Sequence, residues 1–267
     1  NYGNLENRGW EFEVGGIPVK TKDFNWRTAL RLSQSSSKIT SLWGNNTYQD
    51  RVAFPAPGTN GSGGRIEAGT KIGSYYIWKY AGITDDGKWL LYDKDDNLIL
   101  SGQKTYDDKR YIGNAIPKMI ISWDHNFTYK NLSLGVNLRS WINFDVFNTI
   151  DMYYGISSVE GQNVLRNAFI DNRYIKEVKQ LTDYWLEDGT FLKIDAINLG
   201  YSLNIEKWKK YLDKIDFYLT IRNVACFTKY SGLNPEVNIN GLDPGYEWFN
   251  NIYPETRRYT FGMKIQF

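Results

Sequence analysis

Apolar and polar residues alternate with a period of two along seven stretches of the chain. In the last stretch, Tyr259, Phe261 and Ile265 fall on one face, whereas Thr260 and Lys264 fall on the other. Successive side chains of a strand point to opposite faces, so this pattern predicts strands with one apolar and one polar face. The predicted strands cover residues 8–15, 23–34, 117–129, 132–146, 190–204, 214–226 and 258–267.

The polar faces of these strands carry arginines and carboxylates. Such groups do not fit the closed core of a soluble sandwich, but they suit the wet lumen of a membrane barrel. A glycosidase would need two carboxylates at a fixed separation. The carboxylates here are spread along several strands, which favours hydration and ion pairing of a lumen wall and no enzymatic activity. The residues predicted to line the lumen are Arg27, Arg31, Arg139, Asp145, Arg222 and Arg258.

Within the strand predicted over 190–204, the polar side chains switch from odd to even sequence positions. Lys193 and Asp195 share its polar face early, whereas Asn198 and Gly200 do so later. One extra residue in a strand shifts the alternation in this way, so we expect a β-bulge near Ala196 and the residue after it.

The connections between the predicted strands alternate between short and long. The long ones cover about 35–111, 148–188 and 228–257; the first contains the loop signature Pro55-Ala56-Pro57-Gly58 and two candidate short strands at 72–81 and 89–92. Short turns at one end and long loops at the other are typical of an outer-membrane barrel, with the turns in the periplasm and the loops outside. The aromatic end of the chain at Phe267 belongs to the turn side and suits an interfacial girdle.

Composition narrows the classes of function. Aromatic residues make up 16% of the chain, which favours strands. Mean hydropathy is −0.51, and no apolar run is long enough for a transmembrane helix. A net charge of +2 without a basic block argues against nucleic acid. One cysteine and one histidine exclude a disulfide framework and a Cys- or His-rich metal site, and we expect no cofactor.

Three features could carry other chemistry. Asp93, Asp95 and Asn97 have the spacing of a calcium loop, but Leu98 and Lys104 stand where such a loop has Gly and Glu. A solvated acidic turn is the alternative. The single histidine, His125, falls on the apolar face and indicates an interfacial structural role, and Cys226 is interpreted as a small buried residue without an activating neighbour.

Short motifs along nearly the whole chain resemble those of SusC/RagA-type TonB-dependent transporters. Departures are Ala115, where proline is common, and Val224-Ala225-Cys226, where an Asn-Leu start is usual. The motifs that carry the resemblance are Asn7-Arg8-Gly9-Trp10-Glu11, Tyr111-Ile112-Gly113-Asn114-Ala115-Ile116-Pro117-Lys118, Phe127-Thr128-Tyr129-Lys130-Asn131-Leu132, Asp188-Gly189-Thr190-Phe191-Leu192-Lys193, Leu199-Gly200-Tyr201-Ser202-Leu203, Tyr230-Ser231-Gly232-Leu233-Asn234-Pro235-Glu236 and Tyr259-Thr260-Phe261-Gly262.

The resemblance implies an all-β fold, with residues 1–267 supplying the C-terminal seven or so antiparallel strands of a barrel of about 22 strands with long extracellular loops. It implies TonB-dependent import of an oligosaccharide or peptide across the Gram-negative outer membrane. Implied partners are the plug and earlier strands of the same transporter, a SusD-like surface lipoprotein, the TonB–ExbB–ExbD complex and outer-membrane lipid. The chain starts without Met or a signal peptide, so we expect a piece of a longer protein.

The resemblance also assigns roles to aromatic residues. Tyr259, Phe261 and Phe267 of the final strand would carry the signal for outer-membrane assembly. Outer-loop aromatics are candidates to stack on sugar rings or to contact the lipoprotein. These candidates are Trp43, Tyr48, Trp78, Tyr153, Tyr154, Tyr246 and Trp248. A passive porin and a secreted carbohydrate-binding β-sandwich remain the alternative functions.

Overall fold

A computed structural model of the protein describes residues 3–44, 46–54, 61–158, 161, 163–204, 212–248 and 253–267. The predicted loop at 55–58 lies outside these residues. In chain order the strands and the α-helix are β1 (Gly3–Lys20), β2 (Phe24–Leu42), β3 (Tyr48–Phe54), β4 (Gly61–Glu67), β5 (Tyr75–Ile83), β6 (Trp89–Tyr92), β7 (Leu98–Leu100), β8 (Lys109–Ile112), β9 (Met119–Tyr129), β10 (Leu132–Ile142), β11 (Asp145–Asn148), α1 (Thr149–Tyr154), β12 (Leu186–Asp188), β13 (Phe191–Asn204), β14 (Lys214–Thr228), β15 (Tyr246–Glu247) and β16 (Arg258–Gln266).

Seven long strands form one open antiparallel sheet in the order β1-β2-β9-β10-β13-β14-β16. This is the set of neighbours that the sequence predicts, and the prediction is confirmed. A β-sandwich is wrong for this chain, because these strands form a single sheet and Leu134 and Leu219 remain partly exposed. No helix in the described ranges is both long and apolar enough to cross a membrane.

The sheet has one polar and one apolar face. Residues paired across neighbouring strands lie on the same face, and one such row joins Arg27, Asn126, Gly135, Asn198 and Thr220. The adjacent rows on the other face are apolar and exposed; their exposed residues include Trp10, Phe12, Val14, Trp123, Leu132, Leu199, Phe261 and Met263. Exposed apolar surface of this extent indicates contact with lipid or with another chain.

The first two strands are longer than predicted. The sequence ends the first strand at residue 15, but β1 continues to Lys20 through a register irregularity between Gly16 and Val19. Pro18 is tolerated there because it lies inside this irregularity, where it has no register partner on β2. At its other end, β1 pairs with the far half of β2, and this pairing extends β2 to Leu42.

The bulge in β13 is displaced by one residue from its predicted place. The registers of β13 with β10 and with β14 both skip Asp195, between Ile194 and Ala196. The alternation of polar residues placed the bulge only approximately, near Ala196. An extra residue reverses the face of every residue after it, but the alternation does not show which residue is unpaired.

The strand predicted over 132–146 ends earlier. β10 stops at Ile142, and Asn143 adopts a left-handed φ of 58°. A reversal at Asn143 ends the alternation, so the four residues of β11 join a different sheet, beside β12 and β15. Asp145 therefore does not lie on the wall of the long sheet, and its assignment to the lumen is wrong.

The long connections lie together at one end of the sheet. We call the described residues of 43–118, 143–190 and 229–257 the loop cap. It contains the strands β3 to β8 and the small β12-β11-β15 sheet. The short turns after β1 and β9 lie at the opposite end, as does the end of β16, where Gln266 pairs with Lys214. The one-sided arrangement of loops is as predicted.

One hydrophobic core holds the loop cap together. It takes residues from all three long connections, including Trp89 and Leu91 from the first, Phe147 and Trp185 from the second and Tyr246 from the third. All but Tyr246 are at most 1% exposed. The predicted strands at 72–81 and 89–92 correspond to β5 and β6, which lie inside this core.

Candidate functional site

Five arginines predicted to line a lumen lie on the polar face of the long sheet. Arg31 donates to Asp124 at 2.5 Å and to Glu13 at 3.2 Å, which joins three neighbouring strands by side chains on one face. Arg31 and Glu13 are about half exposed, so solvent screens these ion pairs and they contribute little to stability. The other four predicted arginines on this face are Arg27, Arg139, Arg222 and Arg258.

A denser group of charges, which we call the wall cluster, lies nearer the loop cap. It consists of Arg139, Lys193, Asp195, Glu236 and Glu255. Arg139 holds Asp195 with two bonds of 2.8 and 2.9 Å and also forms a fork with Glu236. Lys193, which is 4% exposed, donates to Glu236 at 2.9 Å and to Glu255 at 2.6 Å. The two glutamates come from the third long connection, so the cluster ties that connection to the strands.

The carboxylate of Glu236 is ionised in this arrangement. Burial by itself would raise its pKa, but the hydrogen bonds from Arg139 and Lys193 outweigh burial and lower the pKa of Glu236 below its usual value. An apolar contact accompanies the charges, because Tyr230 and Val237 of the same connection pack on Trp141 and Phe191.

An open cleft of about 360 Å³ lies beside the wall cluster on the polar face. Asn137, Ala196, Asn198 and Arg222 line it together with the cluster itself. Its lining therefore combines guanidinium, ammonium, amide and carboxylate groups, which suits a polar, hydrogen-bonding ligand.

Asp145 has a structural role in the loop cap. Its carboxylate accepts a hydrogen bond of 2.8 Å from the backbone N–H of Asn114. Gly113 has a φ of +62°, and a side chain there would meet the Asp145 carboxylate at 2.6 Å. Burial raises the pKa of Asp145. The residue thus fixes the turn before β9 instead of lining a lumen.

Two of the aromatic residues proposed to touch a ligand are buried. Trp78 is 3% exposed and donates its indole N–H to the carbonyl of Thr105 at 2.8 Å. Tyr246 is 6% exposed and packs edge-on against Tyr75. Their rings have no free face for a sugar, so for these two the prediction of a ligand contact is wrong.

The other five candidates keep more accessible positions. Trp43 and Tyr48 are exposed at 68% and 47%, and Tyr48 lies 3.6 Å under the guanidinium of Arg65. Tyr153, Tyr154 and Trp248 are half-buried. Their contact with a ligand stays a prediction.

Lys109 is a buried cation of the loop cap. Its ammonium donates to the carbonyl of Ser62 at 2.7 Å and lies within 4.4 Å of the ring centres of Trp78 and Tyr106. Burial, reinforced by the neighbouring Arg65 and Lys104 and opposed by Asp50, lowers the pKa of Lys109 to about 7. No feature of the sequence pattern pointed to this residue.

The calcium candidate forms the hairpin turn between β6 and β7. Asp93 accepts hydrogen bonds of 2.8 Å from the backbone N–H groups of Asp95 and Asn97, and its second oxygen accepts from the Asn97 amide at 3.0 Å. Within the described part of the chain, no group of three His, Cys, Asp or Glu side chains is arranged to hold a metal ion. The turn geometry accounts for the Asp93-x-Asp95-x-Asn97 spacing without a ligand.

The single histidine and cysteine lie on opposite faces of the long sheet. His125 is on the apolar face, where the Trp26 indole N–H lies 3.3 Å from its Nδ1 and Phe127 stacks on its ring. Cys226 is paired with Lys193 on the polar face and is exposed. The interpretation of Cys226 as buried is therefore wrong, because the polar face of the wall is open at this point.

The closing strand presents its aromatics on the apolar face. Tyr259 and Phe261 are 63% and 71% exposed, and Phe267, one residue beyond β16, is 89% exposed. Their exposure fits an interface with lipid, and their role in assembly stays a prediction.

The sequence pattern did not identify the wall cluster as a unit. Lys193 was placed on the polar face, and Glu236 closes one of the quoted motifs, but Glu255 carried no signal. Their meeting depends on how the third connection returns to the wall, which no local pattern encodes.

The comparisons with known proteins concern the whole chain. No family model matches it. It is 26% identical to the TonB-dependent receptor SusC of Bacteroides thetaiotaomicron over 283 residues and 25% identical to the TonB-dependent receptor P3 of Formosa agariphila over 305 residues. Each alignment covers 100% of this chain but only 27% and 29% of those receptors. The chain thus spans less than a third of their length.

Solved structures show the same fold. The structure of the RagAB peptide transporter superposes with a TM-score of 0.80 at 22% identity, covering 99% of this chain and 29% of the matched chain. The RagAB peptide importer in its "closed-closed" state superposes with a TM-score of 0.77. The seven-stranded sheet with its loop cap therefore has the fold of one part of a large barrel.

Proposed function

We propose that this chain, which is similar to TonB-dependent receptors of the SusC/RagA type, supplies lumen wall and outer loops to an active nutrient importer of the outer membrane. The nutrient would be an oligosaccharide or a peptide. Energy would come from the TonB–ExbB–ExbD complex through the plug of the receptor.

One observation supports the proposal above others. The long sheet is polar and charged on one face, apolar and exposed on the other, and all its long connections gather at one end. Only a closed barrel lets such a sheet cross a bilayer, because every backbone group must be paired and the apolar face must meet lipid.

A SusD-like lipoprotein is the proposed partner on the outer side. The loop cap would present the surface for it, because the cap is the end opposite the short turns. Exposed apolar residues of its second connection, such as Leu165, Phe169 and Tyr174, are suited to a protein contact.

The proposal is tested in the native host by uptake of candidate oligosaccharides and peptides. Deletion of the receptor gene and deletion of TonB should each abolish the uptake of the same compound. Deletion of the receptor gene with the TonB system intact shows which compound depends on this receptor. If uptake of that compound continues without TonB, the protein is a passive porin and the proposal is wrong.

A further inference from the structure

Two arginines lie directly opposite each other on the polar face near the wall cluster. Arg222 of β14 is the register partner of Arg258 of β16, and the next neighbour in the same row is Ala196. Like charges opposite each other on neighbouring strands are destabilising. We call Arg222 and Arg258 the arginine pair.

The nearby carboxylates are already engaged by other cations. Asp195 is held by Arg139, Glu255 by Lys193, and Glu236 by both. Among the described residues, neither member of the arginine pair forms an ion pair, and both are exposed. The pair therefore leaves an excess of positive charge on this part of the wall.

The cleft beside the wall cluster adds a further donor. Asn198 lines the cleft next to Arg222, and its Oδ1 accepts a hydrogen bond of 2.9 Å from the Thr220 hydroxyl. That bond fixes the orientation of the amide, so its NH₂ group is the part left to donate. Ala196, which also lines the cleft, has a small side chain and leaves space between these donors. A ligand here meets guanidinium and amide donors, and the carboxylates that share the cleft are held by Arg139 and Lys193.

We propose that Arg222, Arg258 and Asn198 form a subsite for a carboxylate group of the imported solute. A guanidinium matches the two oxygens of a carboxylate with parallel hydrogen bonds. The inference rests on the proposed function and adds that the solute is acidic. A uronic-acid sugar and the free end of a peptide offer the same group.

The experiment uses the full-length receptor, purified in detergent, and isothermal titration calorimetry. The probes are an oligogalacturonate and a malto-oligosaccharide of equal length, and an acidic peptide with its fully amidated, neutral counterpart. The wild-type receptor should bind one acidic probe more tightly than its neutral counterpart, and this arm identifies sugar or peptide as the source. Arg222→Gln or Arg258→Gln should weaken that binding about tenfold or more, whereas Arg222→Lys should weaken it less.

Arg27→Gln is the matched control, because Arg27 is also on the polar face but lies on β2, away from the cleft. It should leave the affinity unchanged. A wild-type receptor without preference for either acidic probe would overturn the inference, as would glutamine variants that bind the acidic probe normally. Variants that lower the melting temperature without changing the affinity would assign the arginines a structural role and would also overturn the inference. None of these results affects the test of TonB-dependent uptake, which needs no acidic solute.

Discussion

At the residue scale, Lys193 is the link on which the wall cluster depends. It is buried and donates to two glutamates from one connection, whereas the pairs of Arg31 are half exposed. Removing one partner of a buried ion pair leaves the other charges uncompensated, which is far more destabilising than loss of an exposed pair.

We expect Lys193→Met to lower the stability of the receptor by about 3 kcal/mol. This is the low end of the range for buried pairs, because Glu255 is partly exposed. The measurement is the melting temperature of the purified full-length receptor. Arg31→Gln is the control and should change the melting temperature much less, because solvent screens the ion pairs of Arg31. Equal effects of the two substitutions would mean that the cluster does not hold the third connection.

Lys109 makes the stability of the loop cap depend on pH. Its pKa is lowered to about 7 in the folded protein, whereas an unfolded lysine has a pKa of about 10.4. Between these values the unfolded chain binds more protons, so stability rises with pH across this window. The penalty of burying the ammonium is complete below pH 7 and falls as the pH rises toward 10.

Lys109→Met removes this penalty together with the bond to Ser62. We therefore expect the substitution to be more favourable, or less unfavourable, at pH 6 than at pH 9. Melting temperatures of the wild-type and variant receptors at the two pH values provide the test, with Lys79→Met as a control because Lys79 is only half-buried. A difference between wild type and variant that does not change with pH would contradict the argument.

At the element scale, β16 both pairs with β14 and presents aromatic side chains outward. Its nine residues pair with β14 along their whole length, and its aromatics face outward. Phe267 lies just beyond the last paired residue and is 89% exposed, so its packing within this chain is slight. Instead, the Phe267 side chain would contact lipid at the membrane interface, and burial of its ring there would contribute about 2 kcal/mol.

Phe267→Ser should therefore have little effect on the melting temperature of receptor that has been inserted and purified. If the final strand carries the assembly signal, the same substitution should sharply lower the amount of receptor in the outer membrane, measured by surface labelling. Tyr253→Ser is a control, since Tyr253 is 86% exposed but lies in the loop cap. Normal abundance with a clearly lowered melting temperature would assign Phe267 a purely structural role.

At the scale of the whole molecule, the long sheet is open. β1 and β16 are its two edge strands, and its apolar face is uncovered by any described element. An edge of unpaired backbone groups beside a large apolar face promotes association of chains in water.

We expect residues 1–267, produced alone in buffer, to aggregate. Size-exclusion chromatography and circular dichroism during heating provide the measurement. Detergent should recover strand signal, because micelles cover the apolar face. A soluble monomer with a cooperative thermal transition in buffer would contradict the barrel interpretation.

The amino-acid sequence by itself determined the strands, their faces and their order. Alternation over residues such as Leu132, Leu134 and Val136 depends only on the period of a strand, and short turns such as Lys130-Asn131 can connect only antiparallel neighbours. Arginines on the polar face then argued against the closed core of a sandwich, and short motifs indicated the family. These inferences succeed because each rests on residues close together in the chain.

Only the tertiary structure decided how distant segments meet. The reversal at Asn143 moved Asp145 from the wall into the loop cap, and the common core of the cap buried Trp78 and Tyr246. The wall cluster joins Lys193 to glutamates 43 and 62 positions along the chain. Burial and ion pairing of this kind depend on the path of the long connections. That path is set by the packing of three loops against one another, which no periodic pattern records.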